Sequence, residues 1–222
     1  MINDTLAQIE ELGRIPSPCP APIGLAWDGT DLWVASDDTQ RLYGVRSNTG
    51  AVFEETTVPG DAVGITVTGD ALRVLVADKD NSRTIRRYVF GHGFKASDII
   101  ACPDDTGSFL AYDGDNLFLS QRSLKRILEL DGEGKVKRTI DVPWQITGMV
   151  VVNGCFYLMT TPDQHSEEHR IVRVDARKDA PQITELASVP FIARSIAWDG
   201  SKFWTNDRDK NAIVAFSPIG TP

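Results

Sequence analysis

One charged residue stands at a place where its repeat equivalents are uncharged. Arg194 begins a strand segment that recurs through the chain, and the same position in the other copies holds Ile23, Val63, Ser108 or Thr147. A guanidinium group keeps its charge when it is partly buried, so it needs an anionic partner. That partner is either an aspartate of a nearby loop, which is the commoner arrangement, or the carboxylate or phosphate of a ligand.

Histidines and acidic residues offer a second kind of chemistry in the segment 161–169. His165 and His169, with Glu167 or Glu168, could ligate zinc or supply a general base, because imidazole titrates near neutral pH. The alternative is a solvated loop tip, since no helix is predicted here that would place both rings on one face. The candidate metal ligands are His165, Glu167 and His169.

Loops rich in aspartate offer a third kind of chemistry. Their carboxylates could hold calcium, but the loops lack the glycine turn and the distal glutamate of an EF-hand. Aspartate and asparagine also cap loops by accepting hydrogen bonds from backbone amides, and we favour this role because the residues recur at equivalent places. The loops are Asp37-Asp38, Asp78-Lys79-Asp80-Asn81 and Asp207-Arg208-Asp209-Lys210-Asn211. The cofactor prediction is therefore limited to a divalent metal, calcium or zinc.

No arrangement of serine, cysteine and histidine indicates a nucleophile, so no catalytic residue is predicted. The three cysteines, Cys19, Cys102 and Cys155, cannot all pair within the chain. Their spacing matches neither a zinc cluster nor a disulfide framework, and we expect buried thiols.

The composition narrows the classes of partner. With 31 acidic and 23 basic side chains the net charge is −8, which repels a phosphate backbone, so no nucleic-acid partner is predicted. No segment approaches the roughly 20 apolar residues of a membrane-spanning helix, so no membrane partner is predicted. The N-terminus lacks the features of a secretion signal, and we expect a cytoplasmic protein, or a secreted or periplasmic one if a leader was removed.

The elements that position these residues form a repeat of about 40 residues. Each copy begins with an apolar strand and a turn. Four of the turns read Asp-Gly or Asn-Gly, which favours a two-residue type I′ hairpin, and the copy 64–70 has Gly69-Asp70 there. Further strands follow, and the fourth ends before a proline, which stops strand pairing. The strand-and-turn segments are 24–29, 64–70, 109–114, 148–154 and 195–200, and the prolines are Pro59, Pro103, Pro143 and Pro190.

The fifth repeat lacks a fourth strand, and the N-terminus supplies one. Residues 9–16 match residues 183–190 position for position, including the terminal proline. Radially arranged four-stranded blades bury both faces, and joining the chain ends in one blade leaves no free edge. We therefore predict an all-β fold, a single five-bladed β-propeller of four-stranded antiparallel blades over 1–222, closed by the N-terminal strand. The local pattern also allows a helix from Asp4 to Leu12.

The predicted boundaries follow from the repeat. They are 5–16 for the fourth strand of blade 5, 22–59 for blade 1, 62–103 for blade 2, 107–143 for blade 3, 146–190 for blade 4, and 192–217 for the first three strands of blade 5.

Strand endings such as 33–38 and 76–83 resemble those of NHL and YVTN propellers. The five blades and the segment 42–50 also resemble the bacterial and plant glutaminyl cyclotransferases. That family has a Leu-Asn-Glu-Leu-Glu-Trp type motif in its last blade, where this chain reads Ala-Arg-Ser-Ile-Ala-Trp over 193–198 and lacks both acids. The resemblance therefore implies the fold and not the cyclase activity. Propellers of the gluconolactonase and virginiamycin-lyase types are similar in their strands, but no matching set of metal ligands is present.

In propellers, the loops that enter the innermost strands and those that join second to third strands gather at one mouth of the central channel. Arg122, Gln145, Trp144 and Asp105 lie in such loops and join Arg194 as candidate ligand-binding residues. We predict a small anionic molecule or a peptide as ligand, with a hydrolase or lyase reaction if the protein is an enzyme. The alternatives are a protein–protein interaction scaffold with a flat apolar top surface, and a metal-dependent enzyme using the blade 4 loop.

Overall fold

Five antiparallel sheets of four strands make up the described part of the chain. The computed structural model describes residues 6–80, 82–163, 165–166, 168–175 and 181–220. From the axis outward, the strands are β2 (Gly24–Trp27), β3 (Leu32–Ser36), β4 (Arg41–Val45) and β5 (Val52–Thr57) in blade 1; β6 (Asp61–Thr68), β7 (Ala71–Ala77), β8 (Arg83–Val89) and β9 (Gly93–Ala101) in blade 2; β10 (Phe109–Tyr112), β11 (Leu117–Gln121), β12 (Arg126–Leu130) and β13 (Val136–Asp141) in blade 3; β14 (Gln145–Val152), β15 (Cys155–Thr161), β16 (His169–Asp175) and β17 (Gln182–Val189) in blade 4; β18 (Ala193–Trp198), β19 (Phe203–Asp207), β20 (Ala212–Phe216) and β1 (Glu11–Pro16) in blade 5.

The sheets form a closed ring. Each innermost strand contacts the innermost strand of the next blade, and β18 of blade 5 contacts β2 of blade 1. Five apolar clusters fill the five spaces between neighbouring blades, so both faces of every blade are buried. The predicted five-bladed propeller is confirmed. The described residues include two short 3-10 helices, Pro103–Asp105 and Arg122–Leu124, and none of their helices is long and apolar enough to cross a membrane.

The N-terminal strand completes blade 5, as predicted. β1 pairs antiparallel with β20, with Arg14 opposite Val214 and Pro16 opposite Ala212. The alternative helix is wrong for its described residues, because Glu11 and Leu12 belong to β1. Before this strand, Gln8 forms a parallel bridge with Ser188 of blade 4, so the N-terminal segment joins two blades.

The Asp-Gly turns differ from the prediction. Asp28, Asp113 and Asp199 do not have the positive φ that a type I′ turn requires; only the glycines after them do. Each of these aspartates instead opens a four-residue loop, because its carboxylate accepts hydrogen bonds from the amides two and three residues on. Asn153-Gly154 has positive φ at both positions, as predicted.

Glycines let the blades approach closely near the axis. A Cβ on Gly148 would lie 2.5 Å from the carbonyl carbon of Ser195, and one on Gly64 would lie 2.8 Å from the carbonyl oxygen of Ser108. In blade 5 the equivalent residue is Ser195, whose hydroxyl accepts from the Leu25 amide at 3.0 Å and donates to the Leu25 carbonyl at 3.2 Å. This pair of bonds links blade 5 to blade 1 where the ring closes.

Candidate functional site

One end of the channel collects the starts of the innermost strands. All five blades run in the same strand order, so the loops that join their second and third strands lie at this same end. We call this end the mouth and define it by the five repeat-equivalent residues that lie there. They are Ile23, Val63, Ser108, Thr147 and Arg194.

In three blades, a β-bulge lies at or directly beside the mouth residue. The pairing register shifts around Val63 in β6 and around Thr147 in β14, so each is the extra residue of a β-bulge. In β18 the shift follows directly after Arg194. A bulge re-aims a side chain and ends regular pairing, which is why bulges are common beside binding sites.

Three arginines form a cluster at the mouth, and we call Arg122, Arg194 and Arg208 the arginine cluster. Burial, followed by the charges of Arg122 and Arg208, lowers the pKa of Arg194 to about 10. Burial also lowers the pKa of Arg122, and the charge of Arg208 lowers it further. The pKa of Arg194 thus responds to the charges of both other arginines, and the pKa of Arg122 responds to the charge of Arg208.

Hydrogen bonds with neighbouring elements hold the cluster. Arg122 begins the 3-10 helix after β11; its amide donates to the Ser108 hydroxyl at 3.3 Å, and its Nε donates to the Gln145 side-chain oxygen at 3.1 Å. Arg194 donates from Nη1 to its neighbour's carbonyl at 3.3 Å. Arg208 follows β19, and its amide donates to the Ile192 carbonyl at 3.1 Å. Blades 3, 4 and 5 therefore build the cluster together.

Two aspartates, Asp37 and Asp207, lie near the cluster without forming an ion pair with it. Within the described ranges, no member of the arginine cluster forms an ion pair with an aspartate or glutamate. Asp207, next to Arg208, pairs with Arg14 at 2.6 Å. Asp37 of blade 1 raises the pKa of Arg194, but it ranks below the opposing effects of Arg122 and Arg208. The cluster thus keeps an excess of positive charge.

A buried histidine lies beside the arginines. His169 begins β16 and is 2% exposed. Burial, followed by the charges of Arg194 and Arg122, lowers its pKa to about 4, so the ring is neutral at pH 7. Its Nδ1 is a buried polar atom without a hydrogen-bond partner among the described residues, as are Oγ1 of Thr147 and Oδ1 of Asn206. Buried polar atoms are nearly always bonded, so these three atoms, like Nη1 of Arg83 in blade 2, are available to bond a water or a ligand.

The remaining predicted ligand residues lie elsewhere or have other contacts. Trp144 is partly buried and packs against the apolar cluster between blades 3 and 4. Asp105 ends the first 3-10 helix, is exposed, and forms no ion pair with the arginine cluster among the described residues. Gln145, in contrast, forms a side-chain hydrogen bond with Arg122 of the cluster.

The predicted metal ligands differ in their surroundings. His165 is exposed, and its amide donates to Asp163 at 2.8 Å, whereas His169 is buried beside the arginines. Glu167 lies outside the described residues. In the described part of the chain, no group of three histidine, cysteine or acidic side chains could hold a metal ion, and the metal site stays a prediction. The thiols of Cys19 and Cys102 are buried, as expected, and Cys155 is partly buried.

Sequence reasoning missed Arg208. The residue stands in a loop that was interpreted as a set of capping aspartates, although such loops were expected at the mouth. His169 was selected for its side-chain type, but its place among cationic groups depends on how blades 4 and 5 meet.

The opposite end of the channel has a different lining. A cavity of about 120 Å³ lies there, and its walls include the apolar strand residues Leu25, Ile65, Leu110 and Met149 and the aromatic residues Trp27, Tyr112 and Trp198. None of the described residues that line this cavity is charged.

Comparisons with known proteins give the fold and no family. No protein-family model and no curated protein sequence matches the chain. The crystal structure of Myxococcus xanthus glutaminyl cyclase matches with a TM-score of 0.74 and 11% identity, covering 98% of this chain and 100% of that chain.

More distant structures agree with this fold. PQQ-bound aldose sugar dehydrogenase from Streptomyces coelicolor has a TM-score of 0.58 and 14% identity, covering 95% of this chain and 98% of that chain. BamB from Moraxella catarrhalis has a TM-score of 0.53 and 10% identity, covering 98% and 95%. Identities this low show the fold alone. The chain is a five-bladed β-propeller that is similar in fold to Myxococcus xanthus glutaminyl cyclase.

Proposed function

We propose that this protein binds a small anionic molecule at the mouth through Arg194, Arg122 and Arg208. The observation that carries the proposal is the arginine cluster itself, which has no carboxylate ion-pair partner among the described residues. An anion would receive charged hydrogen bonds from several guanidinium groups at once, and each group can offer two parallel donors to a carboxylate or phosphate.

The electrostatic cost of the empty cluster supports the proposal. Like charges that are partly buried repel one another more strongly than they do in bulk water. A protein that holds three such charges together with partial burial gives up folding free energy, and a bound anion recovers it. The same cluster disfavours a divalent cation at His169, so we do not extend the metal hypothesis to this place.

Binding is better supported than catalysis. A neutral imidazole with a pKa of about 4 is a weak base at neutral pH, and its Nδ1 has no acidic side chain to orient it among the described residues. The hydrolase or lyase reaction therefore stays a prediction. The scaffold alternative expects a flat apolar top, whereas the described mouth is built around cationic side chains.

Titration calorimetry with inorganic phosphate and with acetate, at constant ionic strength, tests the proposal. We expect saturable binding to the wild-type protein and a melting temperature that rises with anion concentration. Arg194→Leu should weaken binding by tenfold or more, because a charged hydrogen bond contributes about 1.5–3 kcal/mol.

Arg87→Leu is the matched control. Arg87 lies on the third strand of blade 2 and pairs with Asp70 at 3.0 Å and with Asp98 at 3.6 Å. Loss of the Arg87 side chain should therefore leave anion binding unchanged. If neither anion binds the wild-type protein, the proposal is wrong and the scaffold hypothesis becomes the better one. Equal weakening in both variants would also contradict it, because the effect would then be one of net charge.

A further inference from the structure

The five equivalent positions at the mouth are polar in three neighbouring blades and aliphatic in the other two. Blades 3, 4 and 5 contribute Ser108, Thr147 and Arg194 at the equivalent positions, whereas blades 1 and 2 contribute Ile23 and Val63. The arginine cluster and His169 also belong to blades 3, 4 and 5. These five repeat-equivalent positions have therefore diverged into two chemically different groups.

The two aliphatic residues are anchored but not fully covered. Ile23 packs against the apolar cluster between blades 1 and 2, and its amide donates to the Ala35 carbonyl at 3.0 Å. Val63 packs against the cluster between blades 2 and 3 and forms the bulge of β6. Both are only partly buried, so each keeps apolar surface at the mouth.

Charge fixes which way a ligand would lie. Asp37, which follows β3 of blade 1, repels a carboxylate, while the arginine cluster of blades 3 and 5 attracts it. An anionic head is thus favoured next to blades 3, 4 and 5. Whatever the head carries extends toward Ile23 and Val63, where apolar surface is better than polar surface at excluding water.

We propose that the anion is a carboxylate that carries a short aliphatic group, with its head on the arginine cluster and its aliphatic part against Ile23 and Val63. The inference rests on the proposed function and narrows it. Thr147 and His169, which both have an unbonded polar atom, add neutral hydrogen-bonding groups beside the head. An inorganic anion would contact the arginine cluster but would leave Ile23 and Val63 without a partner.

Calorimetric titration of a homologous series tests the inference. The ligands are acetate, propionate, butyrate and 3-methylbutanoate, with inorganic phosphate as an anion that has no apolar part. We expect the dissociation constant to fall by about fourfold for each added methylene group that becomes buried.

Variants with matched shapes locate the aliphatic half. Val63→Thr keeps the side-chain shape and replaces a methyl group with a hydroxyl, so it should reduce the gain per methylene to less than twofold. Val67→Thr is the control, because Val67 lies on the same strand and lines the cavity at the opposite end of the channel. It should give the wild-type series.

The outcomes separate this inference from the proposed function. If acetate and phosphate bind but affinity does not rise along the series, the inference is overturned and the anion site stands. If no anion binds, both fail. An equal loss in Val63→Thr and Val67→Thr would place the aliphatic contact elsewhere and also overturn the inference.

A carboxylate next to an aliphatic group occurs in a free acid and also at the C-terminus of a peptide that ends in an aliphatic residue. Gly-Gly-Val with a free C-terminus and its C-terminal amide distinguish these sources. Tighter binding of the free peptide than of 3-methylbutanoate would identify a chain end as the natural source, and weaker binding would identify a free acid. Equal binding of the free peptide and its amide would overturn the role of the carboxylate.

Discussion

Arg14 of the closing strand lies 2.6 Å from the buried carboxylate of Asp207, the residue directly before Arg208. Asp207 is 0% exposed, and its other oxygen accepts a hydrogen bond from the Lys210 amide at 3.2 Å. Arg14 also bonds Glu11 at 2.6 Å and lies over the ring of Phe191. The strand that closes the ring thus neutralises the aspartate that stands beside the arginine cluster.

Removing this guanidinium should affect both stability and binding. In Arg14→Gln, Asp207 stays buried but loses its cationic partner. This loss should lower the free energy of unfolding by about 2 kcal/mol. Asp207 is then free to attract Arg208, and phosphate affinity should fall severalfold. Urea unfolding and calorimetry measure the two effects.

A surface pair provides the comparison for Arg14. Arg170 pairs with Glu185 at 2.6 Å and with Glu168 at 3.3 Å. The side chains of Arg170 and Glu185 are each about one-third exposed. Arg170→Gln should cost at most about 1 kcal/mol. If Arg14→Gln costs no more than this and leaves phosphate binding unchanged, the coupling between ring closure and the site does not exist.

Ring closure itself should depend on the N-terminal strand. Deletion of residues 1–16 removes β1 and uncovers the edge of β20, whose five residues are all buried in the intact ring. We expect loss of the cooperative thermal transition and exposure of apolar surface to a hydrophobic dye. A chain that lacks only residues 1–5 retains the described contacts of Ala7 and Ile9 with Ser188 and should melt cooperatively. A cooperative, near-native melt of the longer deletion would contradict closure by this strand.

Gly148, on the innermost strand of blade 4, should tolerate no side chain. In Gly148→Ala, the new Cβ would meet the Ser195 backbone at 2.5 Å, and backbone cannot move aside as a flexible side chain can. We expect a loss of about 2–3 kcal/mol in unfolding free energy, as for overpacked cores. The control is Gly13→Ala in β1, because nothing lies within 4 Å of that Cβ and its φ is not positive. Similar stability of the two variants would show that blades 4 and 5 are less tightly packed than described.

The fold was readable from the sequence because the repeat records it directly. The match between residues 9–16 and 183–190 predicted that the N-terminal strand takes the fourth place in blade 5, where it pairs with β20. The turn type was not readable. Asp28 and Asp199 look like hairpin signals, but each carboxylate also bonds a tryptophan indole nitrogen at 2.8 Å, and this contact arises only after the second strand has paired.

The site was readable in part. Arg194 stood out as the charged member of five equivalent positions, and Arg122 and Gln145 were selected because their loops were expected at the same end. The carboxylate expected to neutralise Arg194 could not be assigned, because it depends on which aspartates are already paired across the chain. Asp207 is the clearest case, since its partner Arg14 is 193 residues away in sequence.

His169 should give the protein a pH-dependent stability with a defined sign. Its pKa is about 4 when folded, against 6.5 for a free imidazole, so the unfolded chain binds more protons between these values. The stability contributed by the neutral ring is therefore present above pH 6.5 and is lost as the pH falls toward 4. The full difference is about 3 kcal/mol. In His169→Gln this loss should be absent, because the amide does not titrate.

Urea unfolding at several pH values between 7 and 4 measures the effect, with His92→Gln as the control for an exposed histidine. The wild-type protein and the control should lose stability over this range by more than His169→Gln does. Phosphate provides a second test, because a bound anion offsets the repulsion from Arg194 and Arg122 and should raise the pKa of His169. A chemical shift titration of the imidazole with and without phosphate shows that change directly. If the three proteins have parallel pH profiles and phosphate leaves the titration unmoved, His169 does not share the environment of the arginine cluster.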